Sequence, residues 1–217
     1  MIRIATILTA AIGLAAASFA AERDGLQKGP YKLQIKLEQF VENDWLSVDP
    51  AHVFDSGDRV RFVVQANFDG YLYVSNQGTS GKFISLFPSE DAGENNRIEA
   101  GKDYVVPQTE GAFRIQGPAG HEIVYWTLTP ARVGEPDPLP PDRPAAPQGP
   151  VRMDPRCDET IMRARGECVD HSAGVKRDGE ETRSRSLVFL KKEDTSVVAA
   201  PQQLAGPVTF EFRLAHR

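Results

Sequence analysis

The run His121-Glu122-Ile123-Val124-Tyr125-Trp126-Thr127-Leu128 decides the fold. Ile123, Tyr125 and Thr127 fall on one face of an extended chain, and Val124, Trp126 and Leu128 on the other. Both faces are largely apolar, which marks a central strand with neighbours on either side. The run starts after Gly117-Pro118-Ala119-Gly120, a stiff-then-flexible turn, and stops before Pro130.

Working outward, the partners are legible. Leu33, Ile35 and Leu37 alternate with Lys32, Gln34, Lys36 and Glu38, a half-buried strand with one wet face. Phe40, Val41, Trp45 and Leu46 flank Asn43-Asp44 and suggest a turn into a second short strand. Ser56-Gly57-Asp58 is turn chemistry. It opens Arg59–Ala66, with Val60, Phe62, Val64 and Ala66 on one face. After Asn67-Phe68-Asp69-Gly70, Tyr71–Ser75 and Phe83–Phe87 read as a hairpin joined by the glycine-bearing stretch Asn76–Lys82. Ser89–Asn96 reads as an acidic loop. Short strands are expected around Ile98, Tyr104–Val106 and Phe113–Ile115. Many short strands at roughly ten-residue spacing predict a mostly β chain: an antiparallel β-sandwich, Ig-like or small and barrel-like.

Composition shifts after Pro130. Pro136, Pro138, Pro140, Pro141, Pro144, Pro147, Pro150 and Pro155 exclude a sheet interior. One short helix is expected within 158–167, a polar loop over 170–185, and strands over Ser186–Leu190 and Val208–Leu214. In the last of these Val208, Phe210, Phe212 and Leu214 alternate. An amphipathic strand must bury its apolar face, so both late strands are expected to return to the main sheet. Residues 131–185 then form a Pro-rich insertion in a single domain spanning 21–217, closed by 186–217. A separate C-terminal domain would have too few apolar residues for a core of its own.

The chain has two cysteines, Cys157 and Cys168. An even count in an exported chain predicts one disulfide, worth roughly 3 kcal/mol for so short a loop. His171 stands at a ligand-like spacing from Cys168, but structural zinc takes four ligands and no clear fourth is present. Because both cysteines lie outside the strand-rich region, reduction is expected to loosen the insertion and leave the sandwich folded.

Export is itself a reading of residues 1–20. Met1-Ile2-Arg3 carries one positive charge, Ile4–Ala17 is almost wholly apolar, and Ser18-Phe19-Ala20 places small residues for cleavage after Ala20. The apolar run is shorter than the roughly 20 residues of a spanning helix, and no later stretch is apolar enough to span. A periplasmic or secreted location is expected. The formal net charge of −5 argues against a nucleic-acid partner, which needs a basic footprint.

Several blocks together resemble a bacterial family. They are Phe54-Asp55-Ser56-Gly57-Asp58-Arg59-Val60-Arg61-Phe62, Asn67-Phe68-Asp69-Gly70-Tyr71-Leu72-Tyr73-Val74, Leu86-Phe87-Pro88, Asn96-Arg97-Ile98-Glu99-Ala100-Gly101, Val106-Pro107 and Gly117-Pro118-Ala119-Gly120-His121-Glu122. The family is the domain of unknown function 4384, and the resemblance covers Phe54 to about Pro130. It implies an exported or envelope-associated module, also found joined to protease or kinase domains, used as an accessory or binding unit. It implies nothing about the insertion.

The sequence carries no recognisable catalytic signature. Gly78-Thr79-Ser80-Gly81 lies in a hairpin loop and lacks the strand-to-helix context of a nucleophile elbow. His52, His121, His171 and His216 form no metal-binding spacing. The acidic loop Glu90-Asp91-Ala92-Gly93-Glu94-Asn95-Asn96 does not match a calcium loop. No catalytic, metal or cofactor residues are assigned. Two placements are open for Tyr71, Tyr73, Tyr125 and Trp126: filling the core, the default for aromatics, or forming a surface for a ligand or partner. The expected function is a non-catalytic exported interaction module with an envelope or secreted protein partner. A small-ligand or glycan binder using Tyr71, Tyr73 and Tyr125 is the alternative, and an envelope-directed hydrolase a further one. A convergent, buried Ser/His/Asp or metal-ligand cluster would sink the first reading.

Overall fold

A computed structural model describes residues 31–89, 95–108, 111–129, 155–177, 187–192, 194–200 and 206–217. The signal segment 1–20, most of the acidic loop and the Pro-rich run 131–154 lie outside the described residues.

Alternation builds two sheets that face each other. The first contains β1 (Tyr31–Val41), β2 (Asp44–Ser47), β4 (Arg59–Ala66), β8 (Asp103–Val106), β9 (Phe113–Arg114), β12 (Val188–Lys192) and β13 (Thr195–Ala200). Its main order is β12-β13-β1-β4-β8, all antiparallel, with β2 beside β1 and β9 beside β4. The second contains β3 (Val53–Phe54), β5 (Gly70–Gln77), β6 (Phe83–Phe87), β7 (Arg97–Ile98), β10 (Gly120–Thr129), β11 (Gly174–Arg177) and β14 (Val208–His216). Its order is β11-β14-β10-β5-β6, with β7 beside β5 and β3 parallel to the end of β14. The run that opened the reading is β10, held between β5 and β14 as a central strand.

The core is the interior of this sandwich. Leu33, Ile35 and Leu37 of β1 and Val60, Phe62 and Val64 of β4 face Leu72 and Val74, Val124 and Trp126, and Phe210, Phe212 and Leu214. Phe62 packs edge-on against both Trp126 and Phe212, and Trp126 stacks parallel to Phe210. At roughly 1.5–3 kcal/mol per large apolar side chain, this layer carries the fold. Gly70 is required where β5 begins: a Cβ there would lie 2.8 Å from the Thr129 carbonyl oxygen.

The late strands do not both return to one main sheet: β12 joins the first and β14 the second. The polar stretch 170–185, read as loop, is strand over Gly174–Arg177, where β11 pairs with β14. Its short length and charged residues hide a partner that supplies the apolar side. Strand β5 runs through Gln77, past the expected hairpin boundary, and β13 was not anticipated at all.

The expected helix is α1 (Glu159–Arg165). Asp158 caps it, its carboxylate accepting from the Thr160 and Ile161 amides, and Gly166 ends it at φ 70°. Cys157 and Cys168 are bonded across it. The segment is not peripheral to the strands, contrary to the sequence reading. Val53 N–H donates to Cys168 O, Asp170 N–H donates to Ala51 O, and Cys168 packs with Val53, Ala173 and Ala215. Ala215 lies on the outer side of β14, so the disulfide segment builds a small second core against the back of the second sheet.

Candidate functional site

One end of the second sheet concentrates the buried polar chemistry. On the inner face of β5, β10 and β14 the apolar rows end in Asn76, Glu122 and His216, all buried. Their positions follow from register: Val124 pairs Asn76, Glu122 pairs Leu214, and Gly120 pairs His216. Asn76 Nδ2 donates to Glu122 Oε2 at 2.8 Å, and the Thr79 amide donates to the same carboxylate. His216 Nε2 lies 3.6 Å from Glu122 Oε1. Burial pushes the Glu122 carboxyl up, against the lowering effect of its Asn76 and Thr79 donors. Burial pushes the His216 imidazole down, helped by the nearby His121.

Directly behind, on the outer face of β10, stand His121, Asp170 and Ser172. His121 Nε2 is 3.2 Å from Asp170 Oδ2 and 3.3 Å from Ser172 Oγ, and Ser172 Oγ donates to Asp170 Oδ1 at 2.6 Å. This is the residue set that would count against a non-catalytic reading, so its wiring matters. A serine nucleophile needs histidine to accept its proton on one ring nitrogen while the other donates to the carboxylate. Here one nitrogen, Nε2, faces both partners. When it carries the proton that binds Asp170, it has no lone pair for Ser172. The serine proton is already committed to Asp170. Asp170 also accepts from the Ser172 and Arg156 amides. Burial works to raise its carboxyl, but the Ser172 hydroxyl, these amides and His121 outweigh it and hold it below the ordinary value. The arrangement ties the disulfide segment to β10.

The outer face of the first sheet is different in kind. A row crosses β2, β1, β4 and β9: Trp45, Phe40, Arg59, Arg114. The Phe40 and Trp45 rings lie 5.0 Å apart. The Arg59 guanidinium sits 4.6 Å from the Phe40 centroid, and that of Arg61 4.2 Å from Trp45. Arg61 Nε and Nη2 both bond Glu38 Oε2 at 2.8 Å, and Lys36 Nζ lies 3.0 Å from Glu38 Oε1. Glu38 is thereby buried beneath two cations, while Arg59 and Arg114 remain exposed.

Tyr71, Tyr73 and Tyr125 share the outer face of the second sheet and are half-buried, whereas Trp126 fills the core. Tyr125 stacks on Phe83 at 6.1 Å and donates to Gln77 Oε1 at 2.9 Å. Tyr73 lies across from Thr127 of β10, and Tyr71 from Thr129. An open groove of about 210 Å³ between the β11 and β12 edges is lined by Asp49, His171, Phe189, Lys191 and Ser196, and Lys191 pairs with Asp49 across it. Among the described residues no group of three or more His, Cys, Asp or Glu is arranged to hold a metal ion. No described helix is long and apolar enough to cross a membrane.

Sequence reasoning missed Asn76, Glu122 and His216 as a group. The signal was present: extending the core-facing alternations Leu72-Val74, Val124-Trp126 and Phe212-Leu214 by one step reaches each of them. It missed the Trp45–Phe40–Arg59 row because that row depends on register between three strands.

With this geometry in view, residues 53–132 match the family model described as Domain of unknown function (DUF4384). The matched stretch contains β3 through β10, including Asn76, Thr79, His121, Glu122, Arg59 and Arg61, and excludes the disulfide segment and β14. No curated protein and no solved structure matches the chain.

Proposed function

We propose that this chain is a non-catalytic interaction module of an exported compartment, and that it docks a protein partner on the outer face of β1, β2 and β4. The Trp45–Phe40–Arg59 row carries the reading. Tryptophan and arginine dominate binding hot spots, and here they lie outside the core. Lys36, Arg59, Arg61 and Arg114 gather on this face of a chain whose net charge is −5. The matching partner presents carboxylates around an apolar or aromatic contact. The committed Ser172 proton supports a binding role over hydrolysis. The Cys157–Cys168 bond and the residue 1–20 pattern support export into an oxidising compartment.

The experiment is binding of crosslinked envelope protein by the purified chain and by Trp45→Ala and Arg59→Ala. A partner held by the parent and weakened tenfold or more by each variant supports the reading. A partner held equally by all three refutes it.

A second reading rests on the half-exposed Tyr71, Tyr73, Tyr125 and Phe83 face: a small-ligand or glycan platform. Glycan binding lost in Tyr73→Ala, with Trp45→Ala unaffected, would favour it over the first.

A further inference from the structure

Glu122 and His216 are an ionisable pair placed where a sandwich normally puts leucine. Both side chains point into the core, at 4% and 0% exposure. Among the described residues neither His216 ring nitrogen has a hydrogen-bond partner, and Glu122 Oε1 lies 3.6 Å from Nε2. Asn76 Oδ1 and Thr79 Oγ1, around the same carboxylate, are also buried without partners among the described residues. A buried charge without a counter-charge is strongly disfavoured, so the protonation of this pair is constrained. With no proton it holds a bare carboxylate, served only by the Asn76 and Thr79 donors. With two it holds a bare imidazolium. With one it is neutral overall, either as acid plus imidazole or as carboxylate plus imidazolium.

We propose that the folded chain holds a single proton on the Glu122–His216 pair, and that this proton locks the end of the sandwich where β3, β10 and the end of β14 meet. The backbone makes the lock local. Ala215 and His216 pair with Val53 and Phe54, and Arg217 N–H donates to Phe54 O. Among the described residues the surrounding groups supply no alternative counter-charge. On β10, His121 is engaged by Asp170. Phe54 of β3 is apolar, and His52 packs on its ring, under the influence of Asp49, Asp55, Asp58 and Glu167. Asp55 and Arg217 pair with each other at the surface. Gly78 and Thr79 close the β5–β6 side, a Cβ on Gly78 falling 3.2 Å from Glu122 Oε2.

The consequence is a stability plateau bounded on both sides. Opening returns both groups to water, where a carboxyl of this type has an ordinary value of 4.5 and an imidazole one of 6.5. Between these values the open pair also carries one proton, so opening neither takes up nor releases any. Above 6.5 the open imidazole loses its proton while the closed pair keeps one, so closure weakens as pH rises. This is the raised carboxyl at work. Below 4.5 the open pair takes a second proton that the closed pair refuses, so closure weakens as pH falls. This is the depressed imidazole at work. Each limb changes the opening constant by up to about tenfold per pH unit.

The test is amide hydrogen exchange at Phe54, Ala215 and Arg217, corrected for intrinsic rates, from pH 5.5 to 8.5, in the parent and in Glu122→Gln. Glutamine keeps the Asn76 contact and needs no proton. The expected result is an opening constant that climbs severalfold or more in the parent above pH 6.5 and stays flat in the variant. Equal slopes in the two proteins would overturn the proposal. Should Glu122→Gln not fold, an NMR titration of the His216 ring in the parent decides: an ordinary midpoint near 6.5 overturns it, and one displaced well below (acid plus imidazole) or well above (carboxylate plus imidazolium) supports it.

Discussion

Asp170 and His121 meet at 3.2 Å although 49 positions separate them, and the contact joins the disulfide segment to the central strand of the second sheet. Asp170 is a four-fold acceptor there, taking the Ser172 hydroxyl, the Ser172 and Arg156 amides and the His121 ring. Replacing it by alanine leaves several buried donors unmet, and Asp170→Ala should cost about 2–4 kcal/mol in urea unfolding. Because its carboxyl is held below the ordinary 3.8, its contribution is full above that value and is lost as pH falls through the depressed one. Asp170→Asn should therefore blunt acid unfolding below pH 3.8. Ser172 should not react with a fluorophosphonate probe, and labelling of it would restore the hydrolase reading.

The disulfide makes a second case. Cys168 packs with Val53 and Ala215, so reduction reaches the sheet. A loss of about 2–4 kcal/mol is expected, with the cooperative thermal transition retained at a lower midpoint because the main core is independent of the bond. Disappearance of that transition on reduction would contradict this division.

Two glycines separate backbone strain from crowding. Gly57 has φ +101° and open space around a Cβ, so Gly57→Ala should cost about 1 kcal/mol through strain alone. Gly70→Ala drives a methyl to 2.8 Å from the Thr129 carbonyl and should cost about 1–3 kcal/mol. The comparison is read directly from paired denaturation midpoints.

Core and face should also separate. Phe212→Ala removes a fully buried ring touching Phe62 and should cost about 3–5 kcal/mol. Trp45→Ala, outside that core, should cost about 1 kcal/mol or less, mostly through its ring contacts with Phe40 and Arg61. Chemical denaturation of both variants checks the pair.

Local alternation made the sandwich legible, because each long strand writes its buried face at every second residue. Strands β1, β4, β10 and β14 were readable for that reason, and the short helix α1 was readable as the stretch between the two cysteines. Strand β11 was not, because Gly174-Val175-Lys176-Arg177 has little apolar content and is a strand only through β14. The candidate sites were less legible still. His121 with Asp170, and Trp45 with Arg59, are brought together by tertiary register, which alternation within one segment does not encode. Glu122 and His216 were hidden for the opposite reason: polar residues at the end of an apolar row read as the row's end, although the same face continues through them.

The claim that Trp45, Phe40 and Arg59 form a protein-docking face is tested most directly by equilibrium binding of one identified partner to the parent, Trp45→Ala, Arg59→Ala and Ser172→Ala chains. Expected is a Kd raised tenfold or more by the first two variants and unchanged by Ser172→Ala. Equal affinity of the Trp45→Ala and Arg59→Ala chains with the parent would contradict it.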